Sequence, residues 1–443
     1  MAERAVAARD VEEVLREGGF TAFHRRIVAV TGLAWTFVAM EILLIGFTLP
    51  LFRDLWGLSG AWLGLLGSAA LAGSLVGSLA WGRAADRMGR RGIFQATILW
   101  YSAFTALTAL TALAWGPGSL LVLRFLAGIG LGGMLVVDPA LLTEYLPPQN
   151  RGRFLVFLDF FWPIGMLLAI GLSFVFLDLL DGRWRWLFLA AACPAFLTAV
   201  ARRAVPESPY FLARAGRRRE AAEVLGRITG RAVDAEGLAA PPQPAAPFGE
   251  LFGPELRRTS ALVVVVWIAL NISYYALFIW LPDVIGAVQR FGIPVYLLLA
   301  LAAAAQFPGY AAAIWLVEVW GRKRTLATFL VLGGASAYVF SAARSPGIYL
   351  AALFFVGFFN LGAWGAVYPY TSELYPTRLR SSAFGLAEGV GKAAAIAGPY
   401  LFGYLRDVTG ELVWSLTFVA AVMALGGLVT ASLGRETKGA KLT

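Results

Sequence analysis

The sequence has little cysteine, histidine and charge. Among 443 residues there is one cysteine, Cys193, and one histidine, His24. A single cysteine excludes an intrachain disulfide framework and a cysteine-based metal site, and one histidine in a polar N-terminal stretch argues against a histidine-based metal centre or catalytic triad. Charged residues make up 14% of the chain, against about a quarter in an ordinary soluble domain. This deficit excludes a soluble enzyme, a disordered chain and a nucleic-acid-binding domain.

What the chain has instead is long apolar runs. Its hydrophobic fraction is 59% and its mean hydropathy is +0.71. Since about 20 mostly apolar residues cross a bilayer as a helix, we predict an all-α membrane protein with twelve spans. The spans, numbered in chain order, are 27–52, 59–82, 94–114, 119–145, 154–179, 185–204, 259–283, 294–317, 325–342, 347–371, 382–405 and 412–433. The predicted units are an arm (1–26), a six-helix half (27–204), a linker (205–258), a second six-helix half (259–433) and a tail (434–443).

The basic residues predict the orientation of the chain in the bilayer. With both termini inside, 29 of the 37 Lys and Arg residues lie in cytoplasmic segments and six in outside loops. This positive-inside bias also accounts for the net charge of +10 without nucleic acid as a partner. The arm has mixed charge and no short apolar core, so we expect no cleavable signal peptide. An Ala-, Gly- and Arg-rich composition is typical of bacteria with GC-rich DNA, and we expect a multi-pass protein of the inner (cytoplasmic) membrane.

The linker and the two halves contain recognisable patterns. Residues 208–228 have apolar residues at helical spacing and predict a short amphipathic helix on the cytoplasmic face, whereas 239–248 read as a Pro/Ala linker. After span 2 comes Gly82 to Arg91 (GRAADRMGRR), and after span 8 comes Glu318 to Lys323 (EVWGRK), so each half has an acid before a Gly-Arg-basic turn. We expect these charges to form a cytoplasmic gate that breaks when the halves rock. The candidate gate residues are Asp86, Arg90, Glu144, Arg151, Glu318, Arg322, Glu373 and Arg380.

The repeated turn resembles the loop motif G-x-x-x-D-[RK]-x-G-R-[RK] of the major facilitator superfamily. Further matches are similar to its sugar-porter-like branch: Arg124 with the glycines of 128–133, Pro206-Glu207-Ser208-Pro209 after span 6, and Glu436-Thr437-Lys438-Gly439 in the tail. The resemblance covers essentially the whole chain. It implies a carrier with a central site between two halves, working by alternating access.

Two departures from sugar porters concern the substrate. Sugar porters usually have a Gln-rich opening of span 7, but here Val266 to Asn271 (VWIALN) supply one amide. Span 1 reads Phe37 to Glu41 (FVAME) and span 4 reads Val137 to Glu144 (VDPALLTE), which look like bacterial niacin transporters and synaptic-vesicle-protein-like carriers. An acid common in those relatives is replaced by Val38. The resemblance implies a small aromatic or organic acid as substrate.

Charges at bilayer depth mark pathways or internal pairs. Glu41 lies roughly 16 Å and Arg124 roughly 8 Å below the outer end of its span, so an arginine side chain can bridge them. The family analogy agrees, and we expect Glu41 to exchange a proton and Arg124 to tune it; the alternative is a permanent structural ion pair. Asp138 is a further candidate for the proton path, although Asp138 and Asp159 fit better in an inner charge network with Arg151 and Arg153.

Candidate substrate contacts come from span 11 and from interior aromatics. Glu388 and Lys392 are four apart on one helix face, so Lys392 can hold a substrate carboxylate with Glu388 as its resting partner; the alternative is a self-neutralising structural pair. The other candidates can stack on a ring or bond its edge; helix packing is the favoured explanation of any single one, and the cluster is better evidence than its members. These are Trp35, Trp162, Asn271, Tyr274, Tyr275, Asn360, Trp364 and Tyr368.

These observations predict proton-coupled uptake of a small organic acid, with nicotinate the best single guess. The alternatives are a sugar or polyol proton symporter, an exporter or uncoupled facilitator, and a substrate sensor that no longer transports. An enzyme is the least favoured class, since no nucleophile, metal or phosphate-loop arrangement is found. We expect no cofactor and a monomer whose partners are its substrate, protons and the lipid bilayer.

Overall fold

The chain is built from helices. The computed structural model describes residues 10–236, 238–239, 248–287 and 292–439, and these ranges contain helices and turns but no β-sheet. Most of the predicted Pro/Ala linker and the ends of the predicted arm and tail lie outside the described residues. The arm begins with a helix, Val11–Gly18, whose N-cap Asp10 accepts a hydrogen bond from the Glu12 backbone. The single histidine, His24, accepts one from the Thr21 backbone at the start of span 1.

The first half contains spans 1 to 6. Their helices are Ala22–Trp56, Gly60–Met88, Arg90–Tyr145, Arg151–Asp159, Phe161–Ser173, Phe174–Leu179, Trp184–Ala191 and Leu197–Ala204. Spans 3 and 4 share the helix Arg90–Tyr145, which is interrupted at Gly116 (φ 68°, ψ −165°). A positive φ is accessible to glycine at little cost, and Pro117 follows at the start of span 4. The interruption therefore forms the turn between the predicted spans 3 and 4.

The second half contains spans 7 to 12. Their helices are Arg257–Ala287, Val295–Ala304, Gln306–Val319, Arg322–Ala342, Pro346–Leu374, Arg380–Thr409 and Leu412–Leu433. The first helix of span 5 ends before Phe160, and the first helix of span 8 ends before Ala305. In each, a proline lies four residues after the last residue of the first piece: Pro163 after Asp159 and Pro308 after Ala304. A proline has no N–H for the carbonyl four residues earlier and its ring crowds that carbonyl, so the helix breaks there.

Ten of the helical stretches within the described residues are long and apolar enough to cross a membrane. The other two predicted spans are the third and the eleventh. The third runs from Arg90 to the interruption at Gly116. The eleventh, Arg380–Thr409, has 30 residues, but Glu388, Lys392 and its many small residues lower its hydropathy. A hydropathy criterion alone therefore misses the span that carries Glu388 and Lys392.

The linker differs from the single helix predicted over 208–228. It forms two helices, Pro209–Arg214 and Arg218–Thr229, separated by a turn at Gly216 (φ 75°). The second helix buries Ala222, Leu225 and Ile228 and packs against the arm helix Val11–Gly18. The predicted amphipathic pattern is present, and part of the apolar face packs on the arm helix of the same chain.

The two halves meet mainly where span 1 packs on span 7, span 2 on span 11, and span 5 on span 8. We call the end of the bundle that carries the arm helix and the Arg90 and Arg322 turns the terminal face, and the other end the opposite face. Towards the opposite face the contact is close. A Cβ added at Gly403 would lie 2.0 Å from the Gly60 carbonyl oxygen, and one added at Gly64 would lie 2.4 Å from the Pro399 oxygen.

Towards the terminal face the same span 11 is loosely packed. A Cβ added at Gly385 or at Gly389 would meet no atom within 4 Å. The small residues of spans 2 and 11 thus allow close helix approach at one end of the interface. The halves are pressed together at the opposite face.

Polar contacts across the halves reinforce the closure of the opposite face. Asp407 of span 11 accepts hydrogen bonds from the backbone N–H groups of Gly60 (2.7 Å) and Ala61 (2.6 Å) at the start of span 2. Asp283 of span 7 pairs with Arg53 of span 1 at 2.7 Å and also with Arg406 of span 11. Among the described residues, the ion pair of Arg53 with Asp283 joins the two halves at this face, and Arg406 binds the same carboxylate from within the second half. The structure therefore represents a conformation closed at the opposite face.

Candidate functional site: a cavity between the halves

An aromatic cavity lies between the two halves. Span 1 contributes Trp35 and span 5 contributes Trp162, and the other half supplies most of the remaining wall. The lining residues are Trp35, Leu71, Ser74, Leu135, Asp159, Trp162, Asn271, Tyr274, Tyr275, Tyr310, Leu361, Trp364, Tyr368, Glu388, Lys392 and Ala395. Nine of the ten predicted substrate contacts are in this set. A concave site with aromatic walls and a few polar groups is typical of small-molecule binding.

The aromatic side chains of the cavity contact one another across the halves. The Trp162 indole N–H donates to the Tyr274 hydroxyl at 2.5 Å. Trp35 packs edge-on against Trp162 with ring centroids 5.9 Å apart, and Tyr274 packs edge-on against Trp364 at 6.4 Å. The indole N–H groups of Trp35 and Trp364 have no hydrogen-bond partner among the described residues. These two donors are available to a polar atom of a ligand.

Asn360 differs from the prediction. It is 1% exposed, and its amide nitrogen lies 3.7 Å from the Met423 sulfur of span 12, outside the cavity lining. Residues four apart on a helix are displaced by about 40°, because each residue turns by about 100°. The row of Asn360, Trp364 and Tyr368 therefore drifts around span 10. Trp364 and Tyr368 face the cavity, whereas Asn360 faces the interior of its own half.

Two carboxylates and one ammonium group line the cavity. Glu388 and Lys392 are one turn apart on span 11, as predicted, and both are partly buried. The third is Asp159, which the sequence places with Arg151 and Arg153. That placement is wrong: Asp159 ends the first helix of span 5, and its carboxylate accepts a hydrogen bond from the Tyr310 hydroxyl of span 8. Pro163 is the sequence feature that could have indicated this, because a proline four residues after Asp159 interrupts the helix at that point.

The predicted pair of Glu41 and Arg124 is in contact inside the first half. The Arg124 guanidinium lies 3.2 Å from a Glu41 carboxylate oxygen, and both side chains are 0% exposed. Thr105 joins them: its hydroxyl donates to the same Glu41 oxygen at 3.1 Å and accepts from Arg124 at 2.8 Å. The guanidinium also lies over the Phe188 ring, 4.9 Å from its centroid. The pair lies outside the lining of the cavity.

The pair is incompletely satisfied. The second oxygen of Glu41 and the Nε of Arg124 have no hydrogen-bond partner among the described residues. Asp138 of span 4 is also fully buried, and neither of its carboxylate oxygens has a partner there. An unpaired buried carboxylate is costly. Asp138 is thus separate from the predicted charge network.

Two matching charge clusters lie at the terminal face. In the first half, Arg90 pairs with Asp86 at 2.9 Å and with Glu144 at 3.2 Å. The second half repeats this arrangement. There Arg322 pairs with Glu318 at 2.9 Å and with Glu373 at 3.0 Å. Each cluster lies within its own half, so six of the eight predicted gate residues form two separate groups in this conformation.

The two remaining gate candidates have other partners. Arg151 pairs with Glu12 of the arm helix at 3.7 Å and donates to the Tyr210 hydroxyl at 2.5 Å. Burial raises the pKa of Tyr210 to about 12, with Arg151 acting in the opposite direction. Arg380 donates to the Ser372 carbonyl at 2.9 Å. These contacts attach the arm and the linker to span 5, and span 11 to span 10.

Two acids that the sequence shows only as parts of motifs complete the clusters. Glu207 accepts from the backbone N–H groups of Arg90 (2.8 Å) and Arg91 (3.2 Å), and Glu436 accepts from that of Arg322 (2.8 Å). Each thus caps a helix N-terminus, where a negative charge is favourable. The preceding glycines, Gly89 and Gly321, have φ values of 101° and 102°.

Glycine at these two positions leaves room for the acids. A Cβ would lie 2.5 Å from a Glu207 carboxylate oxygen in one half and 2.3 Å from a Glu436 oxygen in the other. Burial opposes ionisation of Glu436, but backbone N–H groups outweigh it and hold the pKa of Glu436 below its ordinary value. In the sequence, the glycine directly before Arg90 and before Arg322 is the feature that indicates these caps.

Comparisons with known proteins agree with this architecture. The chain is 35% identical over 436 residues to the niacin transporter of Acinetobacter baylyi, covering 95% of this chain and 96% of that protein. It is 26% identical over 454 residues to the synaptic vesicle 2-related protein of Xenopus laevis, covering 97% and 81%. The inward-open structure of the Escherichia coli xylose transporter superposes with a TM-score of 0.77 at 19% identity, covering 95% and 98%.

These results confirm the predicted resemblance and the twelve-helix major facilitator fold. Proteins of this group are transporters embedded in a membrane by multiple spans. Residues 27–443 match the sequence profile described as "Sugar (and other) transporter". The chain belongs to the sugar (and other) transporter family.

Proposed function

We propose that this transporter imports a small aromatic carboxylate, nicotinate in the first instance, together with protons. The observation that carries the proposal is the cavity between the halves, where aromatic walls surround Lys392. A pyridine ring fits between indole and phenol faces, and an ammonium group favours a carboxylate. The identity of a relative as a niacin transporter supports the same choice.

The lining disfavours the sugar alternative. Sugars present many hydroxyls, and each needs a polar partner when it is buried. Asn271 is the one amide side chain in the lining, and its nitrogen already donates to the Trp267 carbonyl at 2.9 Å. The cavity therefore offers a ring and one anionic group better complementarity than it offers a polyol.

Glu41 and Arg124 are proposed as the proton-coupling pair. When Glu41 is ionised, Arg124 and Thr105 bind one of its oxygens. Protonation removes the attraction and frees Arg124, whose guanidinium is then stabilised by Phe188 and Thr105. A change of partners inside the first half can bias how that half rocks against the other. Asp138 is proposed as a second station of the proton path.

The positive-inside bias supports a cytoplasmic terminal face. On that assignment the opposite face is external, and the structure represents a state closed to the outside. The terminal-face clusters around Arg90 and Arg322 are then proposed as the two parts of the cytoplasmic gate, which approach each other when the transporter opens outward.

Thermal unfolding of the purified protein tests the substrate. Nicotinate, nicotinamide, benzoate and glucose are added at pH 5.5 and pH 7.5, since a ligand that binds the folded state raises its apparent Tm. We expect nicotinate and benzoate to stabilise the protein, more strongly at the lower pH. Stabilisation by glucose alone would contradict the proposal and support a sugar carrier.

A further inference from the structure

Asp159 is a charged group of the cavity that the proposed function does not yet use. It lies at the helix break of span 5, is 9% exposed, and shares the cavity with Glu388 and Lys392. With all three ionised, the cavity contains two negative charges and one positive charge. A bound carboxylate adds a third negative charge to the same enclosed space.

The carboxylates of Asp159 and Glu388 differ in the groups that offset their negative charge. Glu388 interacts with Lys392, one helical turn away on the same span. Asp159 faces Glu388 of span 11, Tyr310 of span 8 and Tyr368 of span 10. Tyr310 gives it a hydrogen bond, but no ion pair of Asp159 occurs among the described residues. Of the two carboxylates that line the cavity, Glu388 is thus the one on which a basic side chain acts, whereas the described groups acting on Asp159 are an acid and a hydroxyl.

An anionic ligand intensifies this imbalance. Charges interact strongly where water is excluded, so a ligand carboxylate attracted to Lys392 repels Asp159 and Glu388. The repulsion is removed when one carboxylate binds a proton from solvent. No bond of the ligand changes, and the ligand and the proton occupy the cavity together.

We propose that Asp159 takes up one proton when an aromatic carboxylate binds, so that the cavity itself couples the substrate to a proton. This inference rests on the proposed function and adds a second coupling site to Glu41. A neutral analogue brings no charge and needs no proton. Asp159 thus distinguishes a ring with a carboxylate from the same ring with an amide.

Isothermal titration calorimetry of the full-length protein in detergent tests the proton uptake directly. Benzoate and benzamide are titrated at pH 7 in two buffers with different ionisation enthalpies. Benzoate is the principal probe because it lacks a ring nitrogen that could itself titrate. We expect about one proton to be taken up per benzoate and none per benzamide. Equal proton uptake for the acid and the amide, or none for either, overturns the inference.

The pH dependence of binding assigns the proton to a residue. If benzoate binding takes up one proton, the Kd of benzoate rises about tenfold per pH unit above the pKa of the group that binds the proton. In Asp159→Asn we expect that slope to disappear between pH 6 and pH 8 while benzoate still binds. Asp54→Asn, at an exposed position between spans 1 and 2, is the matched control and should keep the slope. If Asp159→Asn keeps the slope and Glu388→Gln loses it, the assignment to Asp159 is wrong.

The two proposals fail in different ways. If the wild-type protein binds neither benzoate nor nicotinate at any pH, the proposed substrate class is wrong and the inference fails with it. If both bind without proton uptake, the substrate class stands and only the role of Asp159 is refuted. Because the wild-type titrations need no variant, an absence of proton uptake refutes the inference whether or not Asp159→Asn folds.

Discussion

An alanine at Gly403 should open the opposite face. The Cβ of Gly403→Ala would lie 2.0 Å from the Gly60 oxygen and 2.8 Å from the Trp280 ring. The Gly60 oxygen is a backbone atom and cannot rotate away as a side chain can, so spans 2 and 11 must move apart by about 1 Å to relieve the contact. Overpacking of this kind costs about 1–3 kcal/mol. The strain against Gly60 exists only while the two halves are in contact at this face, whereas the contact with Trp280 lies within the second half.

The cost translates into a change of conformational population. A difference of about 1–3 kcal/mol shifts an equilibrium about 5- to 150-fold. We therefore expect Gly403→Ala to favour the conformation in which the opposite face is open. The same span supplies a matched control, since Gly385→Ala adds a methyl group where no atom lies within 4 Å.

Pulsed electron–electron distance measurements report the opening. Spin labels are placed on Leu55→Cys and Val408→Cys, which are exposed residues near the opposite face in different halves, in a Cys193→Ser background. Gly403→Ala should increase the long-distance population, and Gly385→Ala should leave it unchanged. If the two alanine variants give the same distribution in folded protein, close packing of spans 2 and 11 does not hold this face closed.

Three further predictions concern single side chains. Glu41→Gln should abolish uphill uptake and spare exchange, measured in proteoliposomes, because the proton site is lost; retained pH-driven accumulation removes Glu41 from that role. Lys392→Ala is made in a Glu388→Gln background, so that no carboxylate is left without its partner on span 11. It should weaken nicotinate binding about 10- to 150-fold, which corresponds to a charge-assisted hydrogen bond of about 1.5–3 kcal/mol. Nicotinamide binding should be unchanged, and equal losses for the two ligands make Lys392 structural. The lowered pKa of Glu436 means that its stabilisation is complete above its ordinary pKa and is lost as pH falls through the lowered value. Glu436→Gln should therefore reduce the Tm at pH 7 more than at pH 3, and an equal reduction at both refutes the linkage.

Much of the fold could be predicted because it follows from local composition. Apolar runs of about 20 residues give the spans, and the repeated Gly-Arg turns lie at equivalent places in the two halves. The contact of Glu41 with Arg124 could be predicted from their depths, which follow from the helical rise, together with the family resemblance that places the two spans side by side.

The parts that could not be predicted depend on the relative rotation and breaks of helices. Asp159 is close to Arg151 and Arg153 in sequence, but the break before Pro163 places it in the cavity. Asn360 shares a row with Trp364 but drifts away from the cavity around span 10. Periodicity gives a face of a helix, and tertiary packing decides what that face meets.

The caps show a different limit. Glu207 and Glu436 lie more than 100 residues from Arg90 and Arg322 in sequence, respectively, and bind their backbone N–H groups. A backbone donor has no sequence signature of its own. The glycines with positive φ before each arginine are the only local sign that an external carboxylate approaches there.

The central claim is that the chain couples movement of an aromatic carboxylate to protons. The most direct measurement is uptake of radiolabelled nicotinate into proteoliposomes with an imposed pH gradient, acid outside, with and without a protonophore. We predict accumulation above the external concentration that collapses when the protonophore is added. Uptake that only equilibrates nicotinate, or that is the same with and without the gradient, would contradict proton coupling.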